Sequence, residues 1–363
     1  MDNLFICNTP YQVLNAINII ENKIQNCTSD NTDILIETLF NSAETLGARL
    51  AEFNVCRDVF YATRNGRTKK IVKIFNIITN NYPVNLFSFT NNQVLQRNYN
   101  SIWVGDDSPL GLVIFTRNKN TKVYWYDDGT STYSWPPTKP FGKENLYSSL
   151  APFFRWGCYR YNSKTIYLNT PQMVQYQGYD FIQLPEYSND NPAIKKDNLA
   201  FNYLEDRSFI RQYKTVVLTQ ILPSTAEYKG IDIESLFDEE TERSQIIVRK
   251  HPRDTKEYLG CIVDNGQNMW EIECLNNISD QHILIACCST AQMTPKMLAG
   301  KEPYVFFLYR FLLGEKSTAK KNFDGLVHSL KSVYSDDTKV IIPESLDEFK
   351  KEYQRLVKKG ERK

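Results

Sequence analysis

Val123-Tyr124-Trp125-Tyr126-Asp127-Asp128-Gly129-Thr130 is an aromatic, β-branched run that stops in two carboxylates and a glycine. Short apolar runs bounded by turn residues read as buried strands. The same grammar recurs twice downstream. Ile246-Ile247-Val248 leads into Arg249-Lys250-His251-Pro252-Arg253, and Ile283-Leu284-Ile285-Ala286 leads through Cys287-Cys288 into Ser289-Thr290. In open α/β sheets ligands bind outside the carboxyl ends of the strands, so an acid pair, an imidazole and a hydroxyl pair at strand ends point to one reaction site.

Outward from these strands the pattern is regular. Leu4 to Cys7 predicts a strand, and Asn8-Thr9-Pro10-Tyr11-Gln12 opens an amphipathic helix running to about Ile20. Thr9 as N-cap, Pro10 at the first helical position and Gln12 three residues after the cap make a capping box. Strands follow at Asp33 to Glu37, Val55 to Tyr61 and Ser101 to Val104, with a helix over Leu46 to Phe53. Residues 136–161 turn irregular and aromatic and read as a long excursion or lid. Pro185 to Pro192 is polar, turn-rich and bracketed by prolines, which places a boundary between domains of residues 1–188 and 189–363. Beyond it strands are predicted at Thr215 to Leu218, Gln245 to Arg249, His282 to Cys287 and Tyr304 to Leu308. Alternating strands and helices imply parallel sheets, an α/β protein of two domains. Ser345 to Lys363 has a helical period with Leu346, Phe349 and Tyr353 on one side, suited to packing on the protein; its lysines make an anionic membrane face the second reading.

The chain has 363 residues, 43 basic and 42 acidic, so its formal charge of +1 demands no nucleic acid partner. Eight cysteines without a C-x-x-C pair fit reduced thiols and a cytosolic setting. Met1-Asp2-Asn3 carries no basic region ahead of a cleavage site, and no apolar stretch reaches the roughly 20 residues of a membrane helix. The expectation is a cytoplasmic protein, soluble or peripheral at the inner face of a membrane.

Each cluster has chemistry of its own. Adjacent carboxylates repel, so one of Asp127 and Asp128 can hold a raised pKa suited to a general base, although Asp and Gly equally suit a solvated turn. Lys250, His251 and Arg253 gather positive charge where Pro252 ends a strand, a place to meet a departing phosphate. His282 and His328 lack that context and read as structural. Ser289, with Gln292 three residues on, repeats the capping-box logic, and a helix start with two hydroxyls can hold a phosphate without a metal. No G-x-G-x-x-G or Walker sequence occurs.

In this order the motifs resemble the bacterial sialyltransferases, and in particular the lipooligosaccharide sialyltransferases of glycosyltransferase family 52. The strings that carry the likeness are Tyr126-Asp127-Asp128-Gly129-Thr130 and His251-Pro252-Arg253. The resemblance implies a GT-B fold, two facing Rossmann-like domains with a cleft between them, and an inverting, metal-independent transfer of sialic acid from CMP-sialic acid to a glycan hydroxyl. It implies that His251, Ser289 and Thr290 meet the CMP phosphate, with Lys250, Pro252 and Arg253 around it. Glu271 takes the nucleoside ribose, with Glu273 as competitor. Asn8, Thr9, Gln12, Gly129 and Thr130 line the acceptor side. In related families the first acid of the Asp-Asp-Gly string is the base, here Asp127, with Asp128 and Glu227 in reserve. No cofactor or metal is called for, and a homodimer stays open. The alternatives are a transferase of the same fold using another nucleotide sugar, and a non-catalytic protein of polysaccharide assembly.

Overall fold

The structure, a computed structural model, describes residues 2–65, 86–118, 120–136, 163–221, 232–237, 243–251, 253–266, 268–314 and 318–361. The chain divides into two compact units, Met1–Phe201 and Asn202–Lys363. Each is an α/β unit built on one largely parallel sheet, the class expected from the alternation of elements.

In the first unit the strands are β1 (Asn3–Cys7), β2 (Thr32–Glu37), β3 (Asp58–Arg64), β4 (Phe87–Phe89), β5 (Ser101–Val104), β6 (Lys122–Tyr126), β7 (Thr165–Leu168) and β8 (Asp180–Gln183). They lie in the order β4-β3-β2-β1-β5-β6-β7-β8, and only the β3–β4 pair is antiparallel. The chain starts in the middle, winds outward through β2, β3 and β4, then returns to β5 on the other side of β1. The second unit repeats this winding with β9 (Thr215–Leu218), β10 (Ile246–Arg249), β11 (Ile262–Asp264), β12 (Ile283–Ala286), β13 (Tyr304–Phe307) and β14 (Val340–Ile341), all parallel, in the order β11-β10-β9-β12-β13-β14. Both sheets therefore have a switch point, between β1 and β5 and between β9 and β12, where doubly wound sheets open a ligand crevice.

The central strands β1, β2, β5, β9, β10 and β12 are buried along their whole length, as strands covered on both faces must be. Strand β3 starts three residues later than the sequence pattern suggests, because Asn54 takes a left-handed turn (φ 50°) and Val55 donates back to Leu50 O at 3.0 Å. The division between units also falls later than the 188/189 boundary expected from the proline-bracketed stretch. Helix Ala193–Ala200 belongs to the first unit: Tyr187 Oη donates to Leu14 O at 2.9 Å, Asn191 Nδ2 to Asn18 Oδ1 at 3.0 Å, and Lys196 Nζ to Phe53 O. Within the proline-bracketed stretch, Tyr187 and Asn191 bind the first helix, Pro10–Glu21, while Lys196 reaches the end of the helix Ala43–Glu52. The lid expected over 136–161 lies, beyond Pro136, outside the described residues.

The C-terminal helix, Leu346–Glu361, spends its apolar side inside the second unit. Phe349, Tyr353 and Leu356 are buried in one cluster with Phe237, Ile285 and Phe306, and Tyr353 and Thr215 share a hydrogen bond at 3.1 Å. The packing reading of this helix holds. No helix among the described residues is long and apolar enough to cross a membrane.

At the amino ends of the first sheet, away from the strand tips that carry the motifs, Asp33 anchors β2 to its neighbours. Its carboxylate accepts from Arg57 (2.9 and 3.0 Å), Arg97 (2.7 Å) and Tyr99 Oη (2.9 Å). Burial alone would raise this group, but those hydrogen bonds outweigh it and hold the carboxyl below its ordinary value. A depressed carboxyl stabilises the fold fully above its unfolded pKa, and that contribution fades as pH falls through the lowered native value. Asp33→Ala is expected to cost about 1–3 kcal/mol at neutral pH: it removes the buried acceptor of Arg57, Arg97 and Tyr99, while Arg57 keeps Asp2 (3.2 Å) and Arg97 keeps Asp58 (2.6 Å). Urea unfolding followed from pH 7 toward pH 2 should show the gap between wild type and variant closing in acid; a gap independent of pH would contradict the assignment.

Candidate active site

At the first switch point the ends of β1 and β5 are tied by side chains. Asn8, just past β1, donates through Nδ2 to Asp106 Oδ1, just past β5, at 2.7 Å. Gln12, in the helix that follows β1, is fully buried and reaches in two directions. Its Oε1 accepts from Asn8 N at 2.5 Å, and its Nε2 donates to Asp128 Oδ1 at 2.6 Å. Thr9 caps this helix by accepting from Gln12 N at 3.2 Å, as the capping box predicts. The return bond of that box goes to Asn8 N rather than to the cap's own N–H, which frees the Gln12 amide to hold Asp128. Gly105 must be a glycine here, since a Cβ would come within 2.5 Å of Gln12 Nε2.

The two carboxylates of the Asp-Asp-Gly string have opposite surroundings. Asp127 has no exposed surface. Its Oδ1 accepts from Gly129 N (2.8 Å), and its Oδ2 from Asn169 N and Asn169 Nδ2 (3.0 Å each) and from Tyr133 Oη. Its carbonyl accepts from Asn15 Nδ2 at 3.0 Å. Burial raises the Asp127 carboxyl, and the bonds from Tyr133, Asn169 and Gly129 oppose the rise. With no exposed surface, the Asp127 carboxylate does not face a ligand. Gly129, at φ +95°, turns the chain so that its own N–H meets Asp127, a conformation that favours glycine. Asp127 was expected to take the proton; its burial and bonds give it the geometry of an anchor for the strand end, which leaves Asp128 as the acid that faces the cavity.

Asp128 is the half-buried partner. With Gly105, Asp106, Asp107, Thr132 and Trp135 it lines a cavity of ≈ 280 Å³. Burial and then the Asp106 charge push the Asp128 carboxyl up to about 7, against the pull of the Gln12 hydrogen bond. Burial, followed by Asp107 and Glu37, pushes Asp106 up to about 6. Two carboxyls whose environments move their pKa values toward neutrality, in one cavity, are equipped to take a proton from a hydroxyl.

In the second unit the end of β9 is tied to the strand ends on both its sides, including β12 across the switch point. Thr219, after β9, accepts through Oγ1 from His251 N at 2.9 Å, and Gln220 accepts from Cys288 N at 2.9 Å, after β12. The His251 and Ser289 segments are thus linked through two consecutive residues of β9's end. Arg253 N donates to His251 Nδ1 at 3.1 Å, which leaves the ring proton on Nε2. Partial burial, then Arg253, lowers the His251 pKa, so the ring is neutral and offers an N–H donor. Within the cationic run, Lys250 is half-buried, Arg253 is exposed, and Arg249 is spent inside on Asp264 (2.6 Å) and Asn268 O. Pro252 and Glu227 lie outside the described residues.

Two expectations for this unit need correction. Ser289 caps only a 3-10 turn, Thr290–Gln292, by accepting from Ala291 N at 3.3 Å. Gln292 does not return to it but is buried, donating to Leu284 O (3.1 Å) and Phe306 O (2.8 Å) as a stitch between β12 and β13. The α-helix beyond spans only Thr294–Ala299, so the helix start imagined behind Ser289 and Thr290 is absent there. Their half-buried and exposed hydroxyls remain. Of the two acids near the Trp270 helix, Glu273 is 1% exposed and bound by Ser208 Oγ (2.6 Å), Asn268 and Asn277, while Glu271 keeps surface and is raised by burial, against its own N–H and Arg249. His282 accepts from Ser279 N and is structural; His328 is exposed on its helix.

Asp106 was missed by sequence reasoning, although Gly105-Asp106-Asp107 follows the strand Ser101–Val104 as Asp127-Asp128-Gly129 follows β6. Tyr133 and Asn169, which hold Asp127, gave no local signal at all. Among the described residues no three His, Cys, Asp or Glu side chains converge as a metal site would require.

No protein-family model matches the chain, and no curated protein matches it. Solved structures similar in chain path include the spinosyn forosaminyltransferase SpnP, which aligns over 98% of this chain and 99% of its own at 9% identity and a TM-score of 0.47. A sialyltransferase from Photobacterium damselae aligns over 94% and 98% at 13% identity and 0.49. Acinetobacter baumannii MurG aligns over 98% and 91% at 8% identity and 0.47. At this distance the alignments say nothing of donor or acceptor in this chain, and chemistry has to come from the residues.

The two acids should separate cleanly by mutation. Asp127→Asn puts an amide where only acceptors fit and is expected to cost about 1–3 kcal/mol of stability, read as a lower urea midpoint. Asp128→Asn, whose amide oxygen can still accept from Gln12, should change stability by no more than about 0.5 kcal/mol. Equal destabilisation by both would contradict the division of roles. Gly105→Ala should displace Gln12 and cost about 1–3 kcal/mol.

Proposed function

We propose that the chain is a glycosyltransferase of GT-B type: an inverting, metal-independent sialyltransferase acting from CMP-sialic acid on a hydroxyl of a bacterial surface polysaccharide or lipooligosaccharide. The observation that carries it is the Asp128 carboxyl, held by Gln12 at the rim of a sugar-sized cavity and pushed up to about 7. Asp128 then takes the proton of the acceptor hydroxyl. The freed oxygen attacks the anomeric carbon as the bond to the phosphate breaks, and the electron pair leaves with CMP. In the second unit, the Nε2–H of His251 and the hydroxyls of Ser289 and Thr290 receive that phosphate, with Lys250 and Arg253 supplying positive charge. Such donors aimed at developing charge are usually the largest catalytic contribution. Glu271, the acid with remaining surface, is assigned to the ribose. The choice of CMP and sialic acid is supported by the Tyr126 to Thr130 and His251-Pro252-Arg253 strings alone. Association with the inner membrane face would rest on the outer lysines of the Leu346–Glu361 helix, since its apolar side is spent in the core.

Comparing the thermal shifts given by CMP, UDP and GDP fixes the donor: CMP should raise the melting temperature most, because a ligand that binds only the native state stabilises it. A shift by UDP or GDP alone would replace sialic acid with another sugar in the same chemistry. CMP-sialic acid with a panel of galactosides and EDTA should release CMP, and His251→Ala should lose about 10²–10³ in rate. Full activity of that variant would overturn its role.

A pH profile gives the sign of the base assignment. A base with a pKa of about 7 must be deprotonated, so kcat/KM should rise about tenfold per pH unit below 7 and level off above it. A profile flat from pH 5 to 8 would place the proton elsewhere.

A further inference from the structure

In the second unit the groups assigned to the donor come from three places: the cationic run after β10, Glu271 on the helix Trp270–Asn276, and Ser289 and Thr290 after β12. One side chain, Trp270, meets the other two segments from its own. It is 9% exposed, and its Nε1–H donates to Ala291 O at 2.8 Å. Ala291 N in turn donates to Ser289 Oγ at 3.3 Å, and Gln292 N to Ser289 O at 3.2 Å. The turn is closed on itself at its amides and held from outside on a carbonyl. Gln220 grips the chain just before it, at Cys288 N (2.9 Å), and the Gln292 amide grips its far end. Between those points, among the described residues, the indole is the side chain of another element that hydrogen-bonds the turn. Ser289 Oγ already accepts one bond, and its own hydrogen remains for a ligand.

The ring has a fixed neighbour as well. The Arg249 guanidinium lies 6.0 Å from the Trp270 ring centroid, at the edge of cation–π reach. Arg249 is 9% exposed and is set by Asp264 Oδ2 at 2.6 Å and by Asn268 O, and it stands two residues ahead of His251. A ring used for packing alone needs no nitrogen. The indole offers one donor and no acceptor, and that donor is spent on the carbonyl that follows the two hydroxyls. Without it a part-buried carbonyl loses its partner, and the loss falls on the turn.

We infer that Trp270 is a positioning residue for phosphate recognition: its N–H fixes Ala291 so that Ser289 and Thr290 are set to hold the donor's phosphate, while the nucleoside end of the site, at Glu271, does not depend on that bond. The inference rests on the glycosyl-transfer reading for the identity of the ligand. The fixing of the turn is a property of the fold.

The test compares wild type with Trp270→Phe in the full-length chain, a change that keeps an aromatic ring beside Arg249 and removes the N–H. Benzothienylalanine at position 270, with the shape of the indole and sulfur in place of N–H, is the second variant should Trp270→Phe fail to fold. Calorimetry measures CMP and cytidine, which differ only by the phosphate. CMP should bind about three- to tenfold more weakly to the variant, the range one hydrogen bond supplies, and cytidine should stay within about twofold of wild type. Without ligand, the amides of Ala291, Gln292 and Met293 should exchange their hydrogens at least about threefold faster in the variant, with those of β12 unchanged. Unchanged CMP affinity, equal losses for CMP and cytidine, or unchanged exchange in the turn would each overturn the inference. The two readings fail separately. If the wild type binds UDP or GDP in place of CMP, the choice of CMP falls and the same comparison against uridine or guanosine decides. If it binds no nucleotide, the glycosyl-transfer reading falls, and exchange alone decides whether Trp270 orders the turn. If both proteins consume CMP-sialic acid with the same KM for it, transfer stands and the inference falls.

Discussion

The carboxylate of Asp127 gathers Gly129, Tyr133 and Asn169 onto one buried group, and much of the site's geometry follows from that. Three stretches of chain are joined there: the end of β6, the short turn after it and the end of β7, the neighbour of β6 in the sheet. A buried carboxylate that lost these donors would carry an uncompensated charge, so the arrangement is strongly constrained. Its consequence for chemistry is positional. With Asp127 pinned inward and Gly129 turning the chain at positive φ, the next carboxylate, Asp128, is directed to the cavity and met by Gln12.

Both units solve the same mechanical problem in the same way. A doubly wound sheet parts where its winding reverses, and the strand tips on either side would splay without a cross-tie. Asn8 with Asp106 supplies the tie in the first unit and Gln220 with Cys288 supplies it in the second, where Thr219 with His251 also ties the end of β9 to that of β10. The polar groups that close the sheet are therefore next to the groups available for a substrate. Their hydrogen bonds fix side-chain positions before any ligand arrives, which is the preorganisation that electrostatic catalysis needs.

The α/β class, the strand ends and the Thr9 cap were legible because each depends on local pattern: apolar runs, turn residues and a capping residue within four positions. The short edge strands β8 and β11 were not, since exposed or three-residue strands carry little apolar periodicity. Asp127 and Asp128 look alike as letters; what separates them is contact with Tyr133 and with Asn169, the latter 42 residues away. Ser289 and Gln292 show the converse failure. Their spacing matches a capping box, yet the Gln292 amide is claimed by carbonyls of β12 and β13, a tertiary demand that overrides the local one. Asp106 was within reach of sequence reasoning, because its strand-end setting copies that of Asp128.

Direct titration of the aspartate carboxyls tests the central claim without reference to any substrate. In full-length protein labelled with ¹³C at aspartate carboxyl carbons, and with Asp128→Asn used to assign its signal, Asp128 should titrate with a midpoint of about 7. A midpoint for Asp128 near 4, the ordinary carboxylate value, would contradict the account.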